Sequence, residues 1–434
     1  MNTQSNMLSR SWPVMPLKYL ATLVTGSTPP KSDAANYEQN GIPWIKPDDL
    51  NGLIPVETSE ECLSAVGESI SRVVPAGSAL VCCIGTVGKI GVAGTRLATN
   101  QQINSVVFDH PKILSARFGV YALMSSEQEH IRCANKVVVA ILNKSGQGNI
   151  PIPAPPIPDQ SRIASYLDEQ TAKIDRLMEM RRQQMALLKE QRAALIQQAV
   201  TRGLNPDAPM KDSGLPWLGE VPAHWEVKRN KFLFREIDSR STTGAEELLT
   251  VSHITGITSR NDKEDVTMFL AESNEGYKLC EIGDLVINTM WAFMGALGFS
   301  TLRGIVSPSY NVYRLKKSAI PTYYDYLFRS PRFITEIRRY SKGIWDSRLR
   351  LYPDSFFEIR SPYPPPEEQA QIVEYIATAT HRTEAALSFY ARQLEVLTEY
   401  RAALIHECVT GQRPLRPFDK LTTQGEREPE AART

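Results

Sequence analysis

The chain has 434 residues, of which 42% are hydrophobic and 22% charged, and 49 Lys and Arg residues against 48 Asp and Glu residues leave a formal net charge of +1. This composition is typical of a globular protein with about three domains, and it excludes a strongly basic domain that would hold nucleic acid by charge alone. No apolar run is long enough to cross a membrane, the N-terminus lacks the apolar stretch of a secretion signal, and the six cysteines form no metal-binding motif, so we expect a cytoplasmic protein with no membrane association, metal site or disulfide framework.

Residues 1–154 contain short β-branched runs separated by Gly, Pro and Asn, a pattern that predicts a mixed α/β domain with many loops. In residues 74–81 a glycine turn leads into an apolar strand. A glycine-bearing loop at 85–89 and a polar stretch at 99–104 follow this strand.

Residues 155–204 are predicted to form a helical spacer. A proline-rich entry leads into a segment without internal Pro or Gly from about Asp159 to Arg202. Leu167, Ile174 and Leu188 fall on one seven-residue grid, which indicates a coiled-coil seam. At a rise of 1.5 Å per residue such a helix spans roughly 60 Å, which is more than a domain core requires.

The rest of the chain repeats this plan. Residues 205–219 are expected to be a linker, 220–363 a second mixed α/β domain, 364–411 a second helical spacer and 412–434 a disordered tail. In the second domain a glycine turn and apolar strand at 280–287 precede a loop at 291–295 and a polar stretch at 307–311.

The two spacers are an internal duplication. A shift of 209 positions aligns residues 155–201 with 364–410 without a gap, and 16 of the 47 positions are identical, including the pentapeptide RAALI. We therefore predict an α+β protein in which the two helices form an intramolecular antiparallel coiled coil. An approximate two-fold axis would relate the two globular domains at its opposite ends. Duplicated spacers with dissimilar domains indicate one partner that is contacted at two places, and DNA with two unlike half-sites fits this description.

Several motifs resemble those of one family, the specificity subunits of Type I restriction-modification systems. Residues 210–227 (MKDSGLPWLGEVPAHWEV) are similar to the linker and second-domain entry of these subunits. Residues 26–29 (GSTP) and 42–46 (IPWIK) resemble the start of a target recognition domain. Residues 155–160 and 364–369 resemble the family's P-P-x-x-E-Q helix entry, with Asp159 where glutamate is usual. The resemblance extends from about Trp12 to Thr410.

The resemblance implies two target recognition domains and no catalytic activity in this chain. Two modification subunits would carry S-adenosylmethionine and methylate adenine, and in the full complex two restriction subunits would use ATP and Mg²⁺. The chain's own residues agree with this expectation, because residues 307–310 lack the second proline of an amino-methyltransferase motif and residues 85–90 are too short for a phosphate-binding loop. No catalytic or metal-ligating residue is predicted, and no cofactor is expected on this chain.

We predict that double-stranded DNA is contacted by polar and basic loops. Residues 143–149 and 342–348 are expected to be exposed loops, and side-chain amides can pair bidentately with adenine. The predicted DNA-binding residues are Lys46, Thr86, Lys89, Asn100, Gln101, Lys144 and Gln147 in the first domain and Trp291, Lys342, Trp345 and Arg348 in the second. The alternative for each is a solvated turn without a role.

The helices are predicted to present a docking face for each modification subunit, with Arg181, Arg192 and Arg401 as the residues concerned. An alternative is that the alanines beside the two repeated arginines only allow the helices to approach closely. Two further functions stay open: a DNA-binding protein that acts without partners, and a coiled-coil scaffold without sequence preference.

Overall fold

The computed structural model describes residues 12–136, 139–262, 273–316, 319–344, 349–413 and 415. The chain divides into two compact units, one made of the residues up to Met180 and those from Arg392 onward, the other of Arg181–Ala391. Each unit contains a globular head and one segment from each of two long helices. We refer to residues 12–154 as the first head and to residues 210–363 as the second head.

The first head consists of short strands and four short helices. Its strands are β1 Val14–Pro16, β2 Thr22–Thr25, β3 Tyr37–Ile45, β4 Pro55–Val56, β5 Cys62–Leu63, β6 Val73–Val74, β7 Ala79–Cys82, β8 Ile90–Ala93, β9 Leu97–Thr99, β10 Ile103–Val107, β11 Asn135–Lys136, β12 Ala140–Ile141 and β13 Pro151–Pro153. Its helices are α1 Ala65–Ser69, α2 Ala116–Ser125, α3 Glu127–Cys133 and α4 Lys144–Gly148, and the long helix α5 spans Ile157–Arg202.

The second head is built from the same kinds of element. Its strands are β14 Met210–Asp212, β15 Glu220–Pro222, β16 Glu226–Arg229, β17 Phe234–Ile237, β18 Leu249–Ser252, β19 Gly256–Ser259, β20 Lys278–Cys280, β21 Asp284–Asn288, β22 Leu297–Phe299, β23 Gly304–Val306, β24 Tyr310–Leu315 and β25 Arg360–Tyr363. Its helices are α6 Asn230–Leu233, α7 Pro321–Phe328, α8 Pro331–Tyr340 and α9 Pro353–Glu358, and the long helix α10 spans Pro366–Thr410. β14 and β15 pair antiparallel, so part of the segment predicted as a linker forms a hairpin.

The two heads share a strand order that the helix duplication alone does not require. The main sheet of the first head runs β2-β10-β7-β8-β4, and that of the second runs β17-β24-β21-β22. In both, a strand pair joins the start of the head to its end, β1 with β13 and β16 with β25. A further pair is β6 with β9 in the first head and β20 with β23 in the second. The duplication therefore includes the framework of the heads.

The predicted glycine turns before the central strands are confirmed. Gly77 precedes β7 with φ +82°, and Gly283 precedes β21 with φ +85°. This left-handed backbone region is costly for any residue with a Cβ, so glycine favours the turn that starts each strand. All residues of β7 and β21 are buried, which agrees with the apolar sequence ALVC of β7 and with the apolar centre LVI of β21.

The predicted fold class is confirmed, with two mixed α/β heads and two long helices. Both helices begin after a proline-rich entry and end just before a glycine in the left-handed conformation, Gly203 with φ +74° and Gly411 with φ +77°. Such a glycine is a common helix stop because the left-handed residue closes the last backbone turn.

The helical segments pack antiparallel within each unit. In the first unit, Asp175 accepts two hydrogen bonds from Arg401, of 2.8 and 3.3 Å. Farther toward the start of α5, Tyr166 lies close enough to Arg413, just beyond the end of α10, to affect the pKa of Arg413. Residue numbers therefore decrease along α5 where they increase along α10, as in an antiparallel pair.

In the second unit, Arg192 bonds to Glu384 at 2.9 Å, and Arg181 lies 5.1 Å from the ring centroid of Tyr390. Leu167, Ile174, Leu404 and Val409 belong to the core of the first unit, and Val200, Ile372 and Ile376 to that of the second.

A duplicated glutamine fastens each long helix to its head. Gln160 is fully buried, accepts a hydrogen bond from the Ser115 backbone N–H at 2.8 Å and donates to the Pro155 carbonyl at 2.7 Å. Gln369 is also fully buried, and it accepts from the Ile320 N–H at 2.9 Å and donates to the Pro364 carbonyl at 2.8 Å. Ser115 and Ile320 are the N-cap residues of α2 and α7. The glutamine of the family-like helix entry is therefore a structural clasp.

The residue before this glutamine differs between the two copies, and so do its contacts. In the second unit, Glu368 accepts hydrogen bonds from the Trp225 indole at 2.9 Å and from the His224 ring at 2.7 Å. In the first unit, the shorter Asp159 forms an ion pair with Arg162. The Trp12 indole N–H, which is buried beside Gly411, has no hydrogen-bond partner among the described residues.

Candidate nucleic-acid interface

Three chain segments meet at one edge of the first head. The turn from β7 to β8 lies beside the turn from β9 to β10, because the Cys83 N–H donates to the Gln102 carbonyl at 2.7 Å. The same turn lies beside the segment that leads to α4, since Gly85 N–H donates to Ala140 at 3.0 Å and Leu142 N–H to Cys83 at 2.8 Å. We call residues 83–89, 100–102 and 140–142 the first turn cluster.

The family-like motifs of the first head lie against this cluster. Ser27 N–H donates to the Thr99 carbonyl at 2.9 Å, and Asn100 N–H donates to the Ile45 carbonyl at 3.0 Å. Gly26 lies so close to the Asn100 carbonyl oxygen that any Cβ at this position would overlap it. Glycine is therefore required here because two backbone segments approach each other closely.

Both lysines predicted to bind DNA near this cluster are bonded to protein groups. Lys46 forms an ion pair with Glu61, and its ammonium lies 5.3 Å from the ring centroid of Trp44. This hydrogen bond from Lys46 lowers the pKa of the Glu61 carboxyl. Lys89 donates to the Pro47 carbonyl at 2.7 Å. These lysines hold the strand ends in place, and their remaining N–H groups are the ones left for a phosphate.

The amides of the polar turn have different surroundings. Asn100 is 6% exposed, and its side chain donates to the Gln102 amide oxygen at 2.9 Å and accepts from the Gln102 N–H at 3.0 Å. Gln101 is exposed, and its side-chain oxygen accepts a hydrogen bond from Thr28. Thr86 is exposed at the neighbouring turn. Gln101 and Thr86 are thus predicted DNA contacts that lie exposed on this cluster, whereas Asn100 is buried and shapes the turn.

The loop predicted at 143–149 is wrong, because the segment forms helix α4. The Asn143 side chain caps this helix by accepting the Gly146 N–H at 2.7 Å, as Asn does at helix starts. Lys144 is exposed at the first helical position. Gln147 is 0% exposed, so the surface position expected for it is also wrong. Residues three apart lie on nearly the same face of a helix, so the burial of Gln147 near exposed Lys144 comes from the packing of α4 against neighbouring elements of the head and not from helix periodicity.

The second head has an equivalent edge. The Thr289 hydroxyl donates to the Ser309 carbonyl at 2.8 Å, and the Leu351 N–H donates to the Thr289 carbonyl at 3.1 Å. The turn from β21 to β22, the polar turn before β24 and the segment before α9 therefore meet as their counterparts do. We call residues 289–296, 307–309 and 349–351 the second turn cluster.

The second turn cluster exposes different side chains from the first. Trp291 is 49% exposed at the turn from β21 to β22. Lys342 is exposed and pairs with Arg350 through two backbone hydrogen bonds of 2.9 Å, which places it next to the cluster. Trp345 and Arg348, the other two predicted contacts, lie outside the described residues.

The arginines predicted to dock partner subunits have contacts within the chain. Arg192 pairs with Glu384, and Arg401 pairs with Asp175, so the duplication repeats the ion pair as well as the arginine. Arg181 donates to the Gln184 side chain at 2.7 Å and lies over Tyr390. These contacts favour a role in helix pairing, and docking by these arginines stays a prediction.

The helices carry a set of exposed apolar residues that was not predicted from the sequence. The duplication matches Met180 with Phe389 and Leu187 with Val396, and each of these four side chains is between 50% and 58% exposed. Both helical segments of each unit carry one of them. The available signal was a position outside the core grid that keeps its apolar character in both copies.

The described residues contain no group of three or more His, Cys, Asp or Glu side chains placed to hold a metal ion. Within the same part of the chain, no helix is long and apolar enough to cross a membrane.

One protein-family model matches the first part of the chain. Residues 9–186 match the model described as the Type I restriction modification DNA specificity domain. The chain is 34% identical over 102 residues to the Type I restriction enzyme HindI specificity subunit of Haemophilus influenzae, a match that covers 23% of this chain and 22% of that protein.

Two further relatives match longer stretches. The MjaIX specificity subunit of Methanocaldococcus jannaschii is 25% identical over 238 residues, which cover 52% of each chain. The EcoR124I/EcoR124II specificity subunit of Escherichia coli is 30% identical over 152 residues, which cover 33% of this chain and 37% of that protein. The matches therefore span about half or less of the length of these curated relatives.

A solved structure shares the fold over nearly the whole chain. That structure comes from work on complex assembly and conformational transition of the type I R-M system. The superposition has a TM-score of 0.63 at 15% sequence identity and covers 92% of this chain and 98% of the other. At this sequence identity the likeness concerns the fold alone.

Proposed function

We propose that this chain is a Type I restriction-modification specificity subunit, that is, the DNA sequence-recognition subunit of such a complex. The observation that carries the proposal is the pair of turn clusters. The same strand order positions both clusters, and the side chains that they expose differ, with Gln101 and Thr86 in one and Trp291 and Lys342 in the other. A common framework with unlike surfaces is suited to two unlike half-sites.

Each head reads one half of a bipartite, asymmetric site, and the helices set the gap between the halves. Exposed amides such as that of Gln101 can contact base edges, and basic groups such as Lys144 and Lys342 can contact phosphates. Because the net charge of the chain is only +1, affinity depends on such local groups and on the partner subunits.

The chain itself is non-catalytic in this proposal and acts in the cytoplasm, where it meets the genome. S-adenosylmethionine binds to the modification subunits, and ATP and Mg²⁺ bind to the restriction subunits. The motif comparisons in the sequence support this division of roles, since no methyltransferase motif or phosphate-binding loop is present.

Two modification subunits dock on the helices, one for each copy of the duplication. The exposed residues Met180 and Phe389 support this number, because they occupy matched positions and are 54% and 58% exposed. Large apolar side chains exposed at two matched places indicate two copies of one partner. The predicted docking arginines would then act at the edge of each contact.

Docking can be tested by size exclusion of the assembled complex. Replacement of either Met180 or Phe389 by Asp should reduce the assembly from two modification subunits to one, and the double variant should bind none. Arg192→Glu and Arg401→Glu test the arginines separately. A full assembly with the double Asp variant would contradict the apolar docking face.

The function is tested by single-molecule methylome sequencing of the host with the gene present and deleted. We expect a methylated motif of two parts with an undefined gap to disappear on deletion. An unchanged methylome would contradict the proposal. If the purified chain bound DNA with full specificity without partners, it would instead be an independent DNA-binding protein, and if it bound without sequence preference, a scaffold.

A further inference from the structure

The second turn cluster exposes an aromatic side chain that the fold does not bury. Trp291 is 49% exposed, and Met294 in the same turn is 41% exposed. Removal of a large aromatic ring from water lowers the free energy. An exposed tryptophan beside an exposed methionine is therefore typical of a binding surface.

The backbone fixes the position of this tryptophan. Trp291 N–H donates to the Asn288 carbonyl at 3.1 Å, and the Trp291 carbonyl accepts from Met294 N–H at 3.0 Å and Ala296 N–H at 3.1 Å. Ala292 is fully buried beneath the turn. The ring is thus carried by a rigid turn, which reduces the entropy that would be lost if it were ordered on binding.

Cationic and aromatic groups lie next to the turn. The hydrogen bond from Leu351 N–H to the Thr289 carbonyl, of 3.1 Å, brings both neighbours of Leu351 to the cluster. These neighbours are Arg350, which is exposed and paired with Lys342, and Tyr352, which is 48% exposed. Aromatic rings beside basic side chains can contact bases and phosphates together.

The first turn cluster has no counterpart of this ring. Its turn from β7 to β8 has the sequence CIGTVGK at residues 83–89, and its other segments are NQQ and AIL. None of these residues is aromatic. One backbone hydrogen bond is equivalent in the two clusters, from Leu142 to Cys83 in the first and from Leu351 to Thr289 in the second, so the ring distinguishes two clusters that are assembled in a similar way.

We propose that the Trp291 ring, with Met294 beside it, inserts between two stacked base pairs of the half-site contacted by the second head and unstacks that one step. No such insertion occurs in the half-site contacted by the first head. Proteins that insert apolar side chains between base steps kink the duplex and gain additional backbone contacts. Lys342 and Arg350 would contact the phosphates beside the kink. This inference depends on the proposed function, since it requires the second head to contact DNA.

The test uses the complex of the full chain with its modification subunits and duplexes that carry 2-aminopurine at successive positions of the gapped site. The fluorescence of this base rises when it loses its stacking neighbour. At positions other than the adenines that the modification subunits extrude for methylation, we expect a rise of about two- to fivefold at one step of the half-site read by the second head and no rise in the other half-site. Exchange of residues 220–363 with those of a relative identifies which half-site that is.

Variants assign the effect to the ring. Trp291→Ala should abolish the rise, Trp291→Phe should retain part of it, and Ile282→Ala, at an exposed apolar side chain at the opposite end of β21, should leave it unchanged. Circular dichroism of each variant checks that it is folded, and the wild-type measurement tests the unstacking without any variant.

Three outcomes separate the claims. Specific binding by the wild-type complex without a rise at any position other than the methylated adenines would overturn the insertion and leave the proposed function intact. A rise that persists in folded Trp291→Ala would overturn the assignment to this residue. Absence of specific binding to any gapped site would overturn the proposed function itself.

Discussion

At the end of β7 the first head turns through Thr86 and Lys89, and at the end of β21 the second head turns through Trp291 and Met294. The strands on either side pair in the same order, and a backbone hydrogen bond ties each turn to the segment before the next short helix, from Leu142 to Cys83 in the first head and from Leu351 to Thr289 in the second. The buried positions of both heads therefore build the same framework, which was retained after the duplication. Exposed positions of the turns diverged, as expected if each head came to recognise different DNA.

The largest expected effect on stability comes from the buried glutamine that connects each long helix to its head. Gln160→Ala and Gln369→Ala each leave a buried N–H and at least one buried carbonyl without a partner, so we expect each to lower the free energy of unfolding by about 2–4 kcal/mol. Denaturant titration measures the loss, and faster amide exchange at Ser115 or Ile320 locates it. Gln101→Ala, at an exposed amide, is the control. Losses below about 0.5 kcal/mol in both clasp variants would show that the clasp is not structural.

Acidification should distinguish the two units. His130 is fully buried in the first head, and burial lowers the pKa of its imidazole below the usual 6.5, against the smaller raising effects of its bond to the Ser126 carbonyl and of nearby Glu129. The unfolded chain then binds the proton more readily, so stability present above about pH 6.5 is lost as the pH falls below it. For one group, the free energy of unfolding can fall by up to about 1.4 kcal/mol for each pH unit of acidification.

Unfolding measured between pH 7.5 and 5, with amide exchange of α3 as the local probe, checks this loss. His130→Gln should flatten the pH dependence of the first unit in this range and leave that of the second unchanged. An unaltered slope in a folded His130→Gln protein would mean that another group is responsible.

The one-carbon difference between Asp159 and Glu368 can be exploited in both directions. Asp159→Glu should allow the carboxylate to accept the Trp12 indole N–H, as Glu368 does from Trp225, and should stabilise the first unit by about 1 kcal/mol. Glu368→Asp should destabilise the second unit by a similar amount. Thermal unfolding of the two single variants and their combination measures both changes. If Asp159→Glu destabilised the protein, the two helix entries would not be equivalent.

The repeated ion pairs should give the smallest effects. Arg401–Asp175 and Arg192–Glu384 are both partly exposed, so each coupling should be about 0.2–1 kcal/mol in a double-mutant cycle and should shrink with added salt. Arg401 is the less exposed arginine and makes two bonds, so its pair should give the larger coupling. A coupling near zero for both pairs would leave their repetition unexplained by helix stability.

Much of this architecture can be predicted from the sequence, because helix periodicity and duplication are local, repeated signals. The bounds of α5 and α10, the turns at Gly77 and Gly283 and the mixed composition of the heads all follow from residue pattern. The equal strand order of the heads does not, because pairing between distant short strands is fixed by packing that no short segment encodes.

The candidate site shows the same limit at the level of side chains. Polar residue type suggested Asn100 and Gln147 as surface contacts, yet the first is bonded to Gln102 and the second is enclosed in the core. Their burial is set by α4 and by contacts across the sheet edge. Conversely, Tyr352 and Arg350 join the second cluster only through the hydrogen bond from Leu351 to Thr289, a contact between residues far apart in the chain.

The most direct test of two independent readers is the methylome of a strain whose chain carries the first head of a relative in place of residues 12–154. We predict that one half of the gapped motif changes in this strain, while the other half and the length of the gap are retained. A change in both halves, or an unaltered motif, would contradict the assignment of one half-site to each head.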